Sequence, residues 1–440
     1  MNSYSYKFII LFFAIVIFLG TILLSLPMMY KNKISFIDIL FTATSAVCVT
    51  GLSVVNISEK FSFLGQFVIL MLIQIGGLGY MVLGSLAMVL FGKLTIAQKN
   101  IISESLNITE FRTISQITKL MKKVVILTVI FELIGCVILF IKFYLLDKFS
   151  FFKGIWFALF HSVSAFCNAG FSLFSNSFEN YKGDFIINTI IPFLIISGGL
   201  GFFVWVDILD KLRKKKRESL FLHTKIVLIS TFTLLLSGFI LIFLLNNYIY
   251  TINNFLLKEK IFVSFFHSVT TRTAGFNTFS VSQFSTLTII IFIIFMFIGA
   301  SPGGTGGGIK TTTFFVIVKS IYDYIRGEKY VSCFKRTIEI SNVLKSFVIF
   351  CVCLFWVIFI SFLMYLTSDF SYKEVIFETV SAFGTVGLSL GITPQLDNYS
   401  KILLIITMLF GRVGSLAFFS ILFTKEPKEI RYLEEPISVG

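Results

Sequence analysis

The sequence predicts an all-α polytopic membrane protein built from four pseudo-repeats of span, pore half-helix, filter loop and span around one central pore, with eight membrane spans in total. Three observations lead there. Of the 440 residues, 56% are hydrophobic and only 14% are charged, whereas soluble domains hold roughly 45–50% apolar and about 25% charged residues. One short stretch, SAVCVTGL at 45–52, returns as SAFCNAGF at 164–171, VTTRTAGF at 269–276 and SAFGTVGL at 381–388. Its glycines, Gly51, Gly170, Gly275 and Gly387, lie 119, 105 and 112 residues apart, and a period of that length along the whole chain means four copies of one unit. Each copy also has the same surroundings: an apolar span before it, a short amphipathic segment leading in, and a second apolar span after it.

The first unit is residues 1–92. Its run 8–29, closed by Pro27, is longer than the roughly 7–15-residue core of a signal peptide, and no small-residue cleavage pattern follows. It reads as a retained span, since about 20 residues at 1.5 Å rise cross the hydrocarbon core. Residues 36–46 are too short and too dotted with Asp and Thr to span, and read as a half-helix entering the loop at 48–52. The second span, 63–91, is interrupted by Gly76-Gly77-Leu78-Gly79.

A loop at 93–123 leads to the second unit, 124–210, with spans at 124–146 and 185–209, a half-helix at 151–166 and its loop at 167–171. The next connection, 211–225, carries Arg213-Lys214-Lys215-Lys216-Arg217. The third unit, 226–318, has spans at 226–248 and 287–317, a half-helix at 261–271 and its loop at 272–276. A third connection, 319–345, precedes the fourth unit, 346–424, with spans at 346–366 and 402–423, a half-helix at 373–383 and its loop at 384–388. A tail, 425–440, follows.

Charge sets the orientation. Lys7, the three long connections and the tail hold 23 Lys or Arg residues, and the opposite side holds 11. Positive loops stay inside, so both termini are expected in the cytoplasm, with every filter loop entering from outside. The net charge of +14 is then a topology signal, and no nucleic acid partner is expected.

The glycine loops carry the chemistry. Irregular backbone at membrane depth is tolerated only where it is buried in protein or lines a watery cavity. A glycine lets backbone carbonyls turn toward an ion without a Cβ in the way, and rings of carbonyls replace the hydration shell of potassium. The candidate ion-binding positions are Val49, Thr50, Gly51, Asn168, Ala169, Gly170, Thr273, Ala274, Gly275, Thr385, Val386 and Gly387. Packing glycines sit inside long apolar runs, as Gly135 and Gly238 do; these four sit at the exits of short helices. Helix C-termini carry roughly half a negative charge, which favours a cation, so no acidic ring is needed. The third loop is one residue short: His267 precedes Gly275 by eight residues, whereas His161 precedes Gly170 by nine. Its symmetry is therefore expected to be imperfect.

The third unit's second span holds Gly299, Ser301, Gly303, Gly304, Thr305, Gly306, Gly307, Gly308 and Lys310 in one short stretch. Repeated glycine cannot hold a helix, so a loop beneath the filter, able to act as a gate, is expected. A phosphate loop needs Gly-Lys-Ser/Thr contiguous between a strand and a helix; here Ile309 intervenes after an apolar span, and nucleotide binding is rejected. Arg412 lies mid-span, where a charge costs about 2.5–3.5 kcal/mol, and is expected to face the pore and bond the carbonyls of 299–310. Arg272 is expected to tie down half-helix carbonyls, Glu132 to serve structure, and His161 and His267 to pack their half-helices. The six cysteines show no zinc spacing and no disulfide is expected. No nucleophile–base pair is visible, so the chain does not read as an enzyme. A membrane enzyme or a scaffold would leave the four half-helices unexplained.

The motifs Val49-Thr50-Gly51-Leu52, Asn168-Ala169-Gly170-Phe171, Arg272-Thr273-Ala274-Gly275-Phe276 and Gly384-Thr385-Val386-Gly387-Leu388, with the broken span at 299–310 and Arg412, resemble those of the Trk/Ktr/HKT superfamily of potassium transporters over essentially the whole chain. The pattern is most similar to the membrane subunit of bacterial Ktr systems, because the chain starts directly at the first unit. The resemblance implies potassium as the transported ion, bound at the filter glycines, with no other cofactor; sodium is the alternative transported or coupling ion. A serine in the first loop would instead resemble the sodium-conducting plant branch. It further implies a homodimer seated on a cytoplasmic ring of nucleotide-binding regulatory subunits.

Overall fold

Long and short helices alternate along the chain. The computed structural model describes residues 3–79, 114–214, 219–248, 255–414 and Phe418. The expected end of the first unit's second span, most of the connection 93–123, Lys215, Lys216, Arg217 and the tail 425–440 lie outside the described residues.

Among the described residues, four helices are long and apolar enough to cross a membrane: Lys7–Leu24, Lys119–Leu146, Leu222–Asn247 and Ile340–Thr367. They match the four expected first spans in place. Each keeps large apolar side chains exposed, among them Phe18, Ile126, Phe232 and Phe355, as a lipid-facing surface requires.

Four shorter helices follow them: Phe36–Val47, Phe151–Phe166, Leu257–Thr270 and Tyr372–Phe383. At 12 to 16 residues they reach about 18–24 Å, short of the ~30 Å hydrocarbon core. Local chemistry starts them. Ser35 Oγ accepts from Asp38 N–H at 3.2 Å, Glu259 reaches back to Leu256 N–H at 3.2 Å, and Ser371 N–H donates to Glu374 at 2.9 Å. These N-terminal caps set the third start at Leu257 rather than the expected 261. The last turns are wholly buried, from Phe41 to Val47 in the first and from Val380 to Phe383 in the fourth.

The helices after each glycine loop are interrupted. Phe63–Leu78 ends at Gly79 (φ +60°) and Asn398–Val413 at Gly414 (φ +97°). The expected spans 185–209 and 287–317 are each two helices. Phe185–Gly199 meets Phe202–Leu212 at 95°, because Gly201 turns to φ +93° and Phe202 N–H donates to Gly303 O at 3.1 Å. Thr286–Phe297 and Thr311–Ile325 flank the stretch 299–310, which folds back on itself through Gly299 N–H to Ile309 O at 2.8 Å.

Polar contacts lock neighbouring units. Trp156 Nε1 donates to Gln66 Oε1 at 2.9 Å between units one and two. Phe178 N–H donates to Asn277 O at 2.9 Å between two and three. Lys401 pairs with Asp38 at 2.7 Å, joining unit four back to unit one.

Glycines in the interrupted helices set how closely they approach. A Cβ on Gly76, Gly198 or Gly411 would overlap the carbonyl oxygen of Val47, Phe166 or Phe383, each the last residue of the short helix in the same unit. Overpacking of this kind costs about 1–3 kcal/mol. Gly198→Ala and Gly411→Ala are therefore expected to lower the thermal midpoint of the detergent-solubilised protein. Gly154→Ala, whose new methyl would meet only side-chain atoms at 3.5 Å or more, should leave it unchanged.

Candidate functional site: a ring of four glycine loops

The four loops meet. Gly51 packs on Ala169 and Gly170, Gly170 on Ala274 and Gly275, Gly275 on Val386 and Gly387, and Gly387 on Thr50 and Gly51. The ring closes in chain order. Contact is backbone to backbone: Cα of Gly170 lies 3.0 Å from where a Gly51 Cβ would stand, and Cα of Gly51 lies 3.0 Å from that of Gly387. Only glycine permits this approach, and all four take left-handed φ values of +87°, +68°, +77° and +92°.

Two residues before each glycine, a second left-handed residue appears: Val49 (φ +57°), Asn168 (+57°), Thr273 (+69°) and Thr385 (+48°). Three of them are β-branched, and a β-branched residue there is a true outlier costing of order 1–3 kcal/mol. Such strain persists only where the surroundings over-determine it, typically at a functional site. Two left-handed residues, one residue apart, turn the loop carbonyls away from the directions a helix or strand would use. No acidic side chain belongs to the twelve loop residues, so the ring offers a cation neutral oxygens only.

A hydroxyl fastens each loop to its helix, a feature missed in the sequence although it opens three of the four motifs. Ser45 and Ser381 accept from Gly51 N–H at 3.0 Å and Gly387 N–H at 3.1 Å. Ser164 and Thr270 donate to Phe171 O at 2.8 Å and Phe276 O at 2.7 Å. The missing residue in the third loop shows here. Thr50, Ala169 and Val386 N–H reach back five residues to Ser45, Ser164 and Ser381 O, while Ala274 N–H reaches back four, to Thr270 O. The deletion shortens the turn and leaves the left-handed pattern intact.

Beside the left-handed residues lies the stretch 299–310. Gly307 N–H donates to Thr385 Oγ1 at 2.9 Å, and a Cβ on Gly306 would overlap Thr273 Oγ1. Asn168 pairs with Thr273 Oγ1 at 3.1 Å in the same layer. Ser301 N–H donates to Gly199 O at 3.0 Å, Thr305 N–H to Gly198 O at 3.2 Å and Thr305 Oγ1 to Phe166 O at 3.3 Å. Gly303 and Gly308 are left-handed, and Gly304 packs on Gly199 O. Lys310 Nζ donates to Gly306 O at 2.7 Å. Arg412 donates to Thr305 O and Gly76 O, and to Gly77 O at 3.2 Å. The stretch thus touches units two, three and four directly, and unit one through Arg412.

The remaining singled-out residues sit behind the ring. Arg272 Nη2 reaches Gly299 O at 3.4 Å, at the start of the stretch 299–310 rather than on its own half-helix. Glu132 accepts from Gln74 Nε2 at 3.2 Å, and Ser162 Oγ donates to its carbonyl at 2.6 Å. His161 and His267 are fully buried among aromatic rings. No group of three His, Cys, Asp or Glu able to hold a metal occurs among the described residues.

Comparison with known proteins agrees with this architecture. The family model "TrkH: Cation transport protein" matches residues 3–430. The chain is 37% identical over 430 residues to the Ktr system potassium uptake protein B of Bacillus subtilis, covering 97% of this chain and 95% of that one. It is 38% identical over 436 residues to the protein of the same name from Vibrio alginolyticus, covering 99% and 94%. It is also 38% identical over 441 residues to the potassium/sodium uptake protein NtpJ of Enterococcus hirae, covering 98% and 95%. The crystal structure of the potassium transporter TrkH from Vibrio parahaemolyticus superposes with a TM-score of 0.74 at 18% identity, covering 96% of this chain and 84% of that one, and so shares the fold. A polytopic helical chain whose four glycine loops close into one ring, matched from end to end by one family model and by relatives near 38% identity, belongs to the TrkH family of cation transport proteins and is not an enzyme.

Proposed function

We propose that the chain takes up potassium across the bacterial plasma membrane through a pore selected by the ring of glycine loops. The closed ring carries this reading. It sets Thr50, Ala169, Ala274 and Val386 carbonyls against the glycines of neighbouring loops, with no acidic side chain in the loops, so selection rests on backbone oxygens replacing water. Four short helices aim their C-terminal ends at the same place, adding the favourable end of each helix dipole. The relatives named as potassium uptake proteins support potassium as the ion. The units are those expected from the sequence, eight spans with both termini cytoplasmic, and the stretch 299–310 with Arg412 is the gate. Reconstitution into liposomes with potassium and sodium fluxes measured side by side tests the reading: potassium flux should dominate, and equal sodium flux would assign the chain to an unselective or sodium-carrying transporter.

The protein works as a homodimer on a cytoplasmic ring of nucleotide-binding subunits. Support comes from the relatives' designation as parts of a Ktr system and from the positive connections at 93–123, 211–225 and 319–345, which suit an acidic partner or anionic lipid. Reversing charge at Lys214, Lys215 and Lys216 is expected to cut co-purification of that ring at least several-fold at low salt, because surface attraction of this kind is screened within ~10 Å. Undiminished co-purification would remove this loop from the interface.

A further inference from the structure

Each half-helix buries one side chain at the same height behind the ring. Counting back from the loop glycine, the position is Thr42, His161 and Glu378 at nine residues and His267 at eight, and all four are completely buried. In two units this side chain makes the same contacts with the segment leaving the ring. His161 Nε2 lies 3.0 Å from Ser172 Oγ and accepts from Leu173 N–H at 3.2 Å, two and three residues after Gly170. Glu378 accepts from Ser389 Oγ and from the backbone N–H of Leu390, two and three residues after Gly387. A third donor, Thr393 Oγ1, adds a bond of 3.1 Å to Glu378, and Thr393 also holds Ser389 Oγ at 2.9 Å.

The two residues are chemically unlike but do the same thing. His161 Nδ1 sits 2.7 Å from Phe157 O, so the proton belongs on Nδ1 and Nε2 is left as an acceptor. A neutral imidazole and a carboxyl group thus offer acceptor atoms to the same hydroxyl and the same amide of their units. The other two units lack the device. Thr42 bonds only within its helix, to Asp38 O at 2.7 Å. His267 repeats the anchor on Val263 O at 2.8 Å, but on its other side it turns to the backbone carbonyl of Phe279, as a donor, and accepts from no hydroxyl. Because the ring runs in chain order, units two and four face each other across it.

We infer that Glu378 and His161 are positioning residues that hold opposite sides of the ring at the width potassium requires, by accepting hydrogen bonds from the segments leaving Gly170 and Gly387. Neither touches the ion, and each acts through the backbone it restrains. The inference rests on the ring being the selectivity filter. It goes beyond the glycine motifs, since a sequence match at the glycines does not by itself specify what braces them.

Paired substitutions test it. Glu378→Leu keeps volume and removes the acceptor, leaving buried donors without a partner. It is expected to lower the potassium-to-sodium flux ratio in liposomes about tenfold, an effect a buried hydrogen bond can supply. Glu378→His installs in unit four the acceptor already used in unit two, and should return the ratio to within about twofold of wild type. A wild-type ratio in Glu378→Leu, or equal losses in the leucine and histidine variants, would overturn the bracing role. Should Glu378→Leu fail to fold, Ser389→Ala removes the donor instead and should lower the ratio several-fold, with an unchanged ratio again overturning it. Gly387→Ser is measured alongside. If it leaves the ratio unchanged, the filter reading fails and this inference falls with it; if it lowers the ratio while Glu378→Leu does not, only the bracing role is lost.

Discussion

Replacing Gly51 by serine is expected to reduce the preference for potassium over sodium by tenfold or more, a loss of about 1.4 kcal/mol or greater. The glycine sits at φ +87°, and any Cβ placed there would overlap Ala169 O and stand 3.0 Å from Gly170 Cα. The left-handed conformation costs a residue with a Cβ roughly 1–2 kcal/mol, and the overlap adds to that. Both costs are relieved by moving the Ala169 carbonyl, which belongs to the proposed ion site. The serine hydroxyl also brings a new oxygen that rotates freely, unlike a carbonyl fixed by backbone. Whether selectivity arises from cavity width or from the number and field of the carbonyls, both change together. Because Gly51 packs on the two neighbouring loops rather than on a helix, the helices should remain folded, with the thermal midpoint falling by a few degrees at most. A permeability ratio equal to wild type in a folded protein would remove Gly51 from the filter.

Much of this site was legible because it is written four times. A single Thr-Val-Gly-Leu is weak, but four copies each preceded by a short helix constrain one another. What escaped is what depends on partners distant in the chain. Gly76 reads as part of an interruption of a span, yet Gly76, Gly198 and Gly411 each lie against the end of their own half-helix, a contact spanning 28 to 32 residues that no local pattern encodes. The left-handed turns at Val49, Thr273 and Thr385 run against β-branched preference and are imposed by the closed ring. The bend after Gly199 follows from Phe202 donating to Gly303, a bond between units. Arg412 was placed near 299–310 by elimination, since a charge inside a membrane must find partners; its choice of Thr305, Gly76 and Gly77 carbonyls required the packed helices.

Deleting residues 303–308, or replacing Arg412 by alanine, is expected to raise potassium flux several-fold and to loosen its dependence on the cytoplasmic subunits. The stretch 299–310 is held in place by few bonds. Three backbone bonds tie it to Gly198, Gly199 and Phe202, one hydroxyl bond ties it to Phe166, one amide bond ties it to Thr385, Arg272 reaches Gly299 O, and Arg412 caps Thr305 O. Five glycines between 303 and 308 contribute no side chain to pack, so apolar burial is confined to the ends of the stretch, at Ala300 and Ile309. As the proposed gate, the segment would need two arrangements close in free energy, and a tenfold shift between them takes only about 1.4 kcal/mol. A charge-assisted hydrogen bond from Arg412 is worth about 1.5–3 kcal/mol, enough to hold the balance toward the closed arrangement. Its loss also frees Gly76 and Gly77 carbonyls, which lie on the helix of unit one and tie the stretch to all four units. The potassium-to-sodium ratio should change far less than in Gly51→Ser, since the four loop glycines and their hydroxyl fastenings are untouched and only the deletion removes one bond to the loops, from Gly307 N–H to Thr385 Oγ1. Flux into liposomes, with and without the cytoplasmic ring, separates the alternatives. If both variants fold and keep wild-type flux and regulation, the stretch is a fixed lining of the proposed pore, and the gate must lie elsewhere.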